Sequence, residues 1–300
     1  MTSENVTRYV RYRSGDQISH GILEGDTIRQ LNADLFSNPQ PTGNSVRRAD
    51  VKLLTPLDPW RVSKVIGIAG NFDRPDTPKR VIPHPRMFAK YAINLVADGD
   101  DVEVPPDVET LDHEGELVVV IGKPARFISQ SEVKDYILGV AVGNDVSYEA
   151  WYGERNGPAE PSRLISKAAD TWSPLGNEIV AGLDYSDLMI TVTLDGELAA
   201  SGRTSQMTNG VDYVISYLSQ YMTLWPGDLV YMGTPPWLPG MRQMRAGQTL
   251  HIEIEKIGTL TNKIVPQKGG IANPWWPAEV EKLPPPAETP AQPVAPTQSR

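Results

Sequence analysis

Apolar positions along this chain gather in short runs punctuated by turn residues, and the runs repeat with the period of strands more often than with that of helices. The clearest run is Leu117-Val118-Val119-Val120-Ile121, which is β-branched and aliphatic, stops at Gly122 and is too short for an ordinary helix; it predicts a strand buried on both faces. Residues 62–68 and Val140-Ala141-Val142-Gly143 predict further core strands. Residues 189–194 and 198–200 flank Asp195-Gly196, a hairpin signal, and Glu24-Gly25-Asp26 is another between short apolar patches in 8–36. Leu250, Ile252 and Ile254 alternate with His251, Glu253 and Glu255; the three polar residues share a face, but alternation is what a half-exposed antiparallel strand shows without any metal. Helical spacing occurs twice. Val211, Val214, Ile215 and Leu218 follow Thr208 and Asn209, and a Ser129/Glu132 capping box opens a short stripe of Val133, Tyr136 and Ile137 that is expected to run up to Gly139. The fold class is therefore α+β, mostly β.

Breaks in the pattern divide the chain. A polar, turn-rich link at 37–50 and the Pro56-Leu57-Asp58-Pro59 break set off a small N-terminal β domain over 1–58 from a larger domain over 59–272. Residues 273–300, with Pro284-Pro285-Pro286, form a Pro-rich tail with too little apolar content for a core and are expected to be disordered.

Charge narrows the partners. Against 28 Lys and Arg stand 37 Asp and Glu, a net charge of −9 with the signs interspersed, so no basic stripe invites nucleic acid and no polybasic segment invites a membrane. No apolar run approaches the roughly 18 residues of a membrane-spanning helix. The absence of cysteine removes thiolate chemistry and disulfides. A soluble, cytoplasmic protein acting on a small molecule is expected. Gly67 and Gly70 do not make a phosphate loop, since neither the dinucleotide fingerprint nor the P-loop pattern surrounds them.

The candidate chemistry sits at the mouth of the best strand. In extended backbone, side chains two apart share a face, so Glu114 and Glu116 would stand side by side and repel unless a cation lay between them. Hard oxygen ligands suit Mg²⁺, Mn²⁺ or Ca²⁺, and such a site needs a third acid. Asp145, in a polar Asn144-Asp145 pair at the end of an apolar run, is the candidate. Gly233-Thr234-Pro235 makes a tight corner that can turn its hydroxyl to the site. Each has a plainer reading: solvated carboxylates, a turn Asp, a turn hydroxyl.

Taken together, His113-Glu114-Gly115-Glu116-Leu117-Val118-Val119-Val120-Ile121-Gly122-Lys123, Gly143-Asn144-Asp145-Val146-Ser147, Lys167 with Asp170-Thr171, Pro226-Gly227-Asp228, Gly233-Thr234-Pro235 and Ile257-Gly258-Thr259-Leu260-Thr261-Asn262 resemble the fumarylacetoacetate hydrolase family over roughly positions 60 to 265. Phe88 and Lys90 fit its Phe-x-Lys. The resemblance implies a mixed β-roll catalytic domain, usually dimeric, hence a homodimer, with a divalent ion (Mg²⁺, or Mn²⁺ or Ca²⁺) held by Glu114, Glu116 and Asp145. It also implies substrates that are 2-oxo acids or 1,3-dicarbonyl compounds, Lys167 as a catalytic residue stabilising enolate charge, and Thr171 and Thr234 lining the pocket. The activity it implies first is hydrolytic C–C cleavage of an acylpyruvate-like compound, with decarboxylation, tautomerisation or hydration of a related oxo acid as the alternative, and a metal-binding homologue without turnover as the non-enzymatic one.

The chain departs from the family pattern in two places. Where the lid usually carries a His and, three on, a Glu that activate water, this chain has Pro75 and Pro78. Candidates for a replacement base are His84, Asp73, Asp76 and Glu149. After Asp145, where an Arg and a Gln usually hold the substrate's acid end, stand Glu149 and Tyr152; with Tyr148 and Trp151 nearby, Tyr148 and Tyr152 make an aromatic substrate pocket the expectation.

Overall fold

A computed structural model of the chain describes residues 6–73, 84–106, 108–148 and 163–270. The strand at its centre, Gly115–Ile121, is buried at every position. It pairs antiparallel on one side with Ile137–Asn144 and on the other with Leu229–Tyr231. Its unbroken apolar run thus reflects a middle layer, not parallel pairing. The alternation sorts cleanly. Leu117, Val119 and Ile121 enter the main hydrophobic cluster, whereas Val118 and Val120 enter a second one with Leu229 and Tyr231 on the other face.

The sheet around this strand has eleven strands. Outward on one side it runs through Leu229–Tyr231, then Val65–Ala69, parallel to it, and ends at Arg86–Lys90. On the other side it passes through Ile137–Asn144 and Glu178–Ala181 to Thr7–Ser14, Gln17–Glu24, Thr27–Leu31 and Pro41–Arg47, so the N-terminal strands extend the large sheet. Glu178–Ala181 and Thr7–Ser14 meet antiparallel, with Tyr9 opposite Ile179. Gly25, at φ 58°, closes the Gln17–Glu24/Thr27–Leu31 hairpin.

A second sheet of five strands faces the main cluster: Glu197–Arg203, Met189–Leu194, Thr249–Ile254, Gly258–Pro266 and Asp101–Val104. Asp195 and Gly196 both take positive φ, 50° and 85°, in the hairpin expected of that pair. Thr249–Ile254 lies antiparallel between two partners and buries Leu250, Ile252 and Ile254, while His251 Nδ1 lies 2.7 Å from Thr261 Oγ1. The plain reading of that alternation holds. The two sheets meet at Gly115, where a Cβ would stand 2.6 Å from Val192 Cγ2 and 3.1 Å from Ile252 Cγ2.

The Val211–Tyr221 helix buries Val211, Val214, Ile215 and Leu218, as its spacing requires. The capping box of Ser129 and Glu132 is present, but the helix it opens is a 3₁₀ turn, Gln130–Asp135, and Ile137 already begins the next strand. The expected run to Gly139 is corrected for a local reason. The Tyr136 carbonyl accepts from both Gly122 N (2.7 Å) and Lys123 N (3.2 Å), so the end of the central strand captures the chain before a second helical turn forms.

Candidate metal centre

Gly115 determines where its neighbours point. Because it faces the second sheet, Glu116 lies on the opposite face, with Val118 and Val120 further along it. Asp145 reaches the same place from the adjoining strand: its N–H donates to the Glu114 carbonyl at 2.9 Å, and the Glu114 N–H donates to Asn144 Oδ1 at 2.9 Å. One carboxylate oxygen from each of Glu114, Glu116 and Asp145 lies within 4.8 Å of the others. The sequence-predicted triad is assembled.

Two lysines serve it from distant positions. Lys167, on the short Leu164–Ala168 helix, donates to Glu114 Oε2 at 2.6 Å and Asp145 Oδ2 at 2.5 Å. Lys90, the last residue of the outermost strand, donates to Asp145 Oδ1 at 2.6 Å and to the Lys167 carbonyl at 2.5 Å, which ties the two lysine-bearing elements together. Phe88 lies under Lys167 Nζ, 4.8 Å from the ring centroid. Its ring lies against Gly67, where a Cβ would fall 2.2 Å from Phe88 Cζ. Gly67 is therefore glycine for ring packing, not for phosphate.

Glu116 is held differently. Its Oε2 accepts the Gly233 N–H at 2.6 Å. Gly233 adopts φ +92°, and a Cβ there would lie 2.7 Å from Asn71 Cβ, so only glycine presents that N–H in this way. The adjacent Thr234 hydroxyl is buried with no hydrogen-bond partner among the described residues.

The charges are unevenly answered. Burial opposes ionisation of Asp145, but Lys167 and then Lys90 outweigh it and bring the carboxyl down to about 2. Burial pushes Glu114 up to about 7, with Lys167 opposing and Asp145 reinforcing. Glu116 is pushed well above the usual carboxylate range by burial and then by the charges of Asp145 and Glu114. Lys167 is raised because Asp145 and Glu114 overcome its burial, while burial dominates for Lys90 and lowers it. Two buried carboxylates and the partly buried Glu114 share two ammoniums, and among the described residues Glu116 faces none directly. That donor set fits a hard divalent cation, which would bring the positive charge Glu116 lacks.

Of the other predicted site residues, Tyr148 is buried in the main cluster, and its N–H donates to the Ser166 carbonyl at 2.9 Å, fastening the segment after Asp145 to the helix of Lys167. Thr171, at φ 68°, turns its hydroxyl to the Glu103 N–H at 2.9 Å. His84 is exposed and stacks on Tyr217, with ring centroids 5.6 Å apart, so its contact is with the Val211–Tyr221 helix and not with a site carboxylate. Glu149, Tyr152, Trp151, Pro75, Asp76 and Pro78 lie outside the described residues. Sequence reasoning did not place Lys90, although Phe88-x-Lys90 carried the signal. Nor did it foresee His113, wholly buried, with Nε2 2.7 Å from the Met241 carbonyl and Nδ1 without a partner among the described residues.

Comparison with known proteins agrees with this geometry. The profile of the fumarylacetoacetate (FAA) hydrolase C-terminal domain matches residues 64–265, and that of the Rv2993c-like N-terminal domain matches residues 7–56. Human oxaloacetate tautomerase FAHD2A, mitochondrial, is 34% identical over 227 residues, 73% of this chain and 71% of that protein. Protein Rv2993c of Mycobacterium tuberculosis is 31% identical over 270 residues, 86% of this chain and 98% of that one. Among solved structures, the 5-carboxymethyl-2-hydroxymuconate delta-isomerase of Mycobacterium smegmatis superposes with a TM-score of 0.76 at 32% identity, over 87% of this chain and all of that one (100%). The chain belongs to the fumarylacetoacetate hydrolase family and has its mostly β α+β fold.

Proposed function

We propose that this chain is a divalent-metal-dependent enzyme that interconverts the keto and enol forms of a small 2-oxo acid of the oxaloacetate class, with Mg²⁺ or Mn²⁺ held by Glu114, Glu116 and Asp145. The observation that carries the reading is the buried carboxylate triad with Lys167 hydrogen-bonded to two of its members. When bound, the cation supplies Lewis-acid polarisation of a chelating carbonyl. The chain's own groups do the rest. Lys167 offers an ammonium to the oxygen on which negative charge grows as the adjacent carbon gives its proton to solvent water, which returns one to that oxygen. Lys90 fixes Asp145 and the backbone of Lys167. Gly233 N–H orients Glu116, and the unpartnered Thr234 hydroxyl offers a hydrogen bond to a substrate oxygen.

Tautomerisation is favoured over C–C hydrolysis because it moves a proton between carbon and oxygen of one molecule and needs no activated water. Pro75 and Pro78 stand where the family's water-activating His and Glu would be, and neither can accept a proton. The human relative's name, oxaloacetate tautomerase, points the same way. Hydrolysis of an acylpyruvate is the second reading, with Glu149 or His84 as stand-in base. Enol-form oxaloacetate, followed by ultraviolet absorbance with Mg²⁺ and with chelator, tests the first; acylpyruvate cleavage tests the second. Metal-dependent ketonisation with acylpyruvate left intact is expected. Efficient acylpyruvate cleavage without any effect on oxaloacetate would overturn the assignment.

A further inference from the structure

The Val211–Tyr221 helix buries Val211, Val214, Ile215 and Leu218 and carries a row of aromatic rings on its outer side. Tyr213, Tyr217 and Tyr221 recur at every fourth position, and their ring centroids stand 6.0 Å and 5.1 Å apart. Tyr221 is 67% exposed. Phe127, 66% exposed, flanks the last turn, where its N–H donates to the Ser219 carbonyl at 3.0 Å. The outer side of such a helix ordinarily carries charged and polar groups. His84 already stacks on Tyr217, so the row accepts a ring from a distant segment.

The tail supplies a matching pattern. Residues 271–300 lie outside the described residues, and the family match ends at 265. Pro284, Pro290, Pro293 and Pro296 are separated by multiples of three, with Ala287 at the remaining step. Three residues make one turn of a polyproline II helix, so these five side chains fall on a single edge of it. We propose that the outer face of the Val211–Tyr221 helix is the docking site of the chain's own segment 284–296, bound as a polyproline II helix across the tyrosine row. Proline rings pack between aromatic side chains, and the carbonyls that this helix leaves unpaired can accept from the tyrosine hydroxyls. Proline fixes φ beforehand, so a segment too poor in apolar groups for a core of its own loses little freedom when held. The reach is sufficient. The roughly 14 residues between Gly270 and Pro284, at about 3.3 Å each, extend up to about 45 Å, against a radius of gyration of about 18 Å for a fold of this size. The Gly258–Pro266 strand and the helix also border one hydrophobic cluster, through Leu260 and Ile264 on the strand and Val214 and Leu218 on the helix. The tail is a better occupant than a separate protein because three surface rings bind weakly, and the tether supplies an effective concentration on the order of millimolar. The inference is independent of which reaction the site performs.

The full chain contains no cysteine, so Ala295→Cys, off the proline edge, gives one thiol for a nitroxide label whose mobility is read by electron paramagnetic resonance. The label is expected to tumble at least about threefold more slowly than in chains that also carry Pro290→Ala/Pro293→Ala/Pro296→Ala or Tyr213→Ser/Tyr221→Ser. Its spectrum is expected to be unchanged on about hundredfold dilution, as a contact within one chain requires. The proline substitutions leave both sheets and the helix unaltered, and Tyr221→Ser alone, at the most exposed ring of the row, serves if the tyrosine pair does not fold. A label equally mobile in all these chains overturns the proposal, as does slowing that survives either the proline or the tyrosine substitutions. Slowing lost on dilution would give the face to another copy's tail and overturn it equally.

Discussion

His113 should impose a pH dependence on stability that can be isolated by one substitution. Its Nε2 faces the Met241 carbonyl at 2.7 Å, and a carbonyl only accepts, so Nε2 carries the hydrogen and Nδ1 is the bare nitrogen of a neutral ring. Nδ1 is buried without a partner among the described residues, so protonation would create an N–H that none of them accepts. Burial is the largest cause that pulls His113 down from 6.5 to about 4; the Met241 carbonyl opposes it and Arg242 adds to it. Below pH 6.5 the unfolded chain takes up a proton that the native one refuses until about 4. This contribution is therefore complete above pH 6.5 and is lost as pH falls through that window, at about 1.4 kcal/mol per unit and about 3 kcal/mol in all.

Glu114 and Glu116 act in the opposite sense. Their raised values favour the folded state at low pH, and that contribution fades as pH rises, through about 7 for Glu114. Wild type and His113→Gln share both carboxyls, so the difference between the two proteins isolates the imidazole. Glutamine places a donor near Nε2, and its misfit in the pocket costs the same at every pH. Urea unfolding at pH 7, 6, 5 and 4.5, in chelator, gives the comparison. The wild-type advantage should shrink by about 2 kcal/mol or more between pH 7 and 4.5. A difference constant within about 0.5 kcal/mol would mean that the folded ring takes up its proton as readily as the unfolded one, and the burial of a bare Nδ1 would then carry no penalty.

Three further outcomes are expected. Glu116→Ala should abolish Mg²⁺ or Mn²⁺ binding by calorimetry while the chain stays folded, and an affinity within about threefold of wild type would remove the metal assignment. Lys167→Met should lower turnover by on the order of 100-fold; because the ammonium bonds two of the metal-binding carboxylates, metal affinity should not fall, and full activity would make it a structural lysine. Gly233→Ala forces a Cβ to 2.7 Å from Asn71 Cβ at φ +92° and should cost about 1–3 kcal/mol in denaturant melts, with weaker metal binding as the N–H turns from Glu116; a neutral effect would show that the corner is free to move.

The parts legible in the sequence were those whose signal is local. Residues 117–121 announced a buried strand through their own composition, and Glu114 and Glu116 shared a face through the period of extended backbone. Asp145 was visible as an acid at the end of an apolar run. What remained hidden depended on partners far along the chain. Lysine in a strand ordinarily reads as solvent-facing, and nothing near Lys90 says that its Nζ ends on Asp145, 55 positions away. Lys167 is separated from Glu114 by 53 positions and from Asp145 by 22, and only the family resemblance pointed to it. The 3₁₀ turn at Gln130–Asp135 was overextended for a similar reason, because the carbonyl that ends it is claimed by Gly122 and Lys123 across the sheet. A carboxylate triad can thus be read from two neighbouring strands, but the charges that make it tolerable inside the protein come from wherever the topology supplies them. The acids name the site, and the lysines, reached only through the fold, determine how much of its negative charge is left for a cation to neutralise.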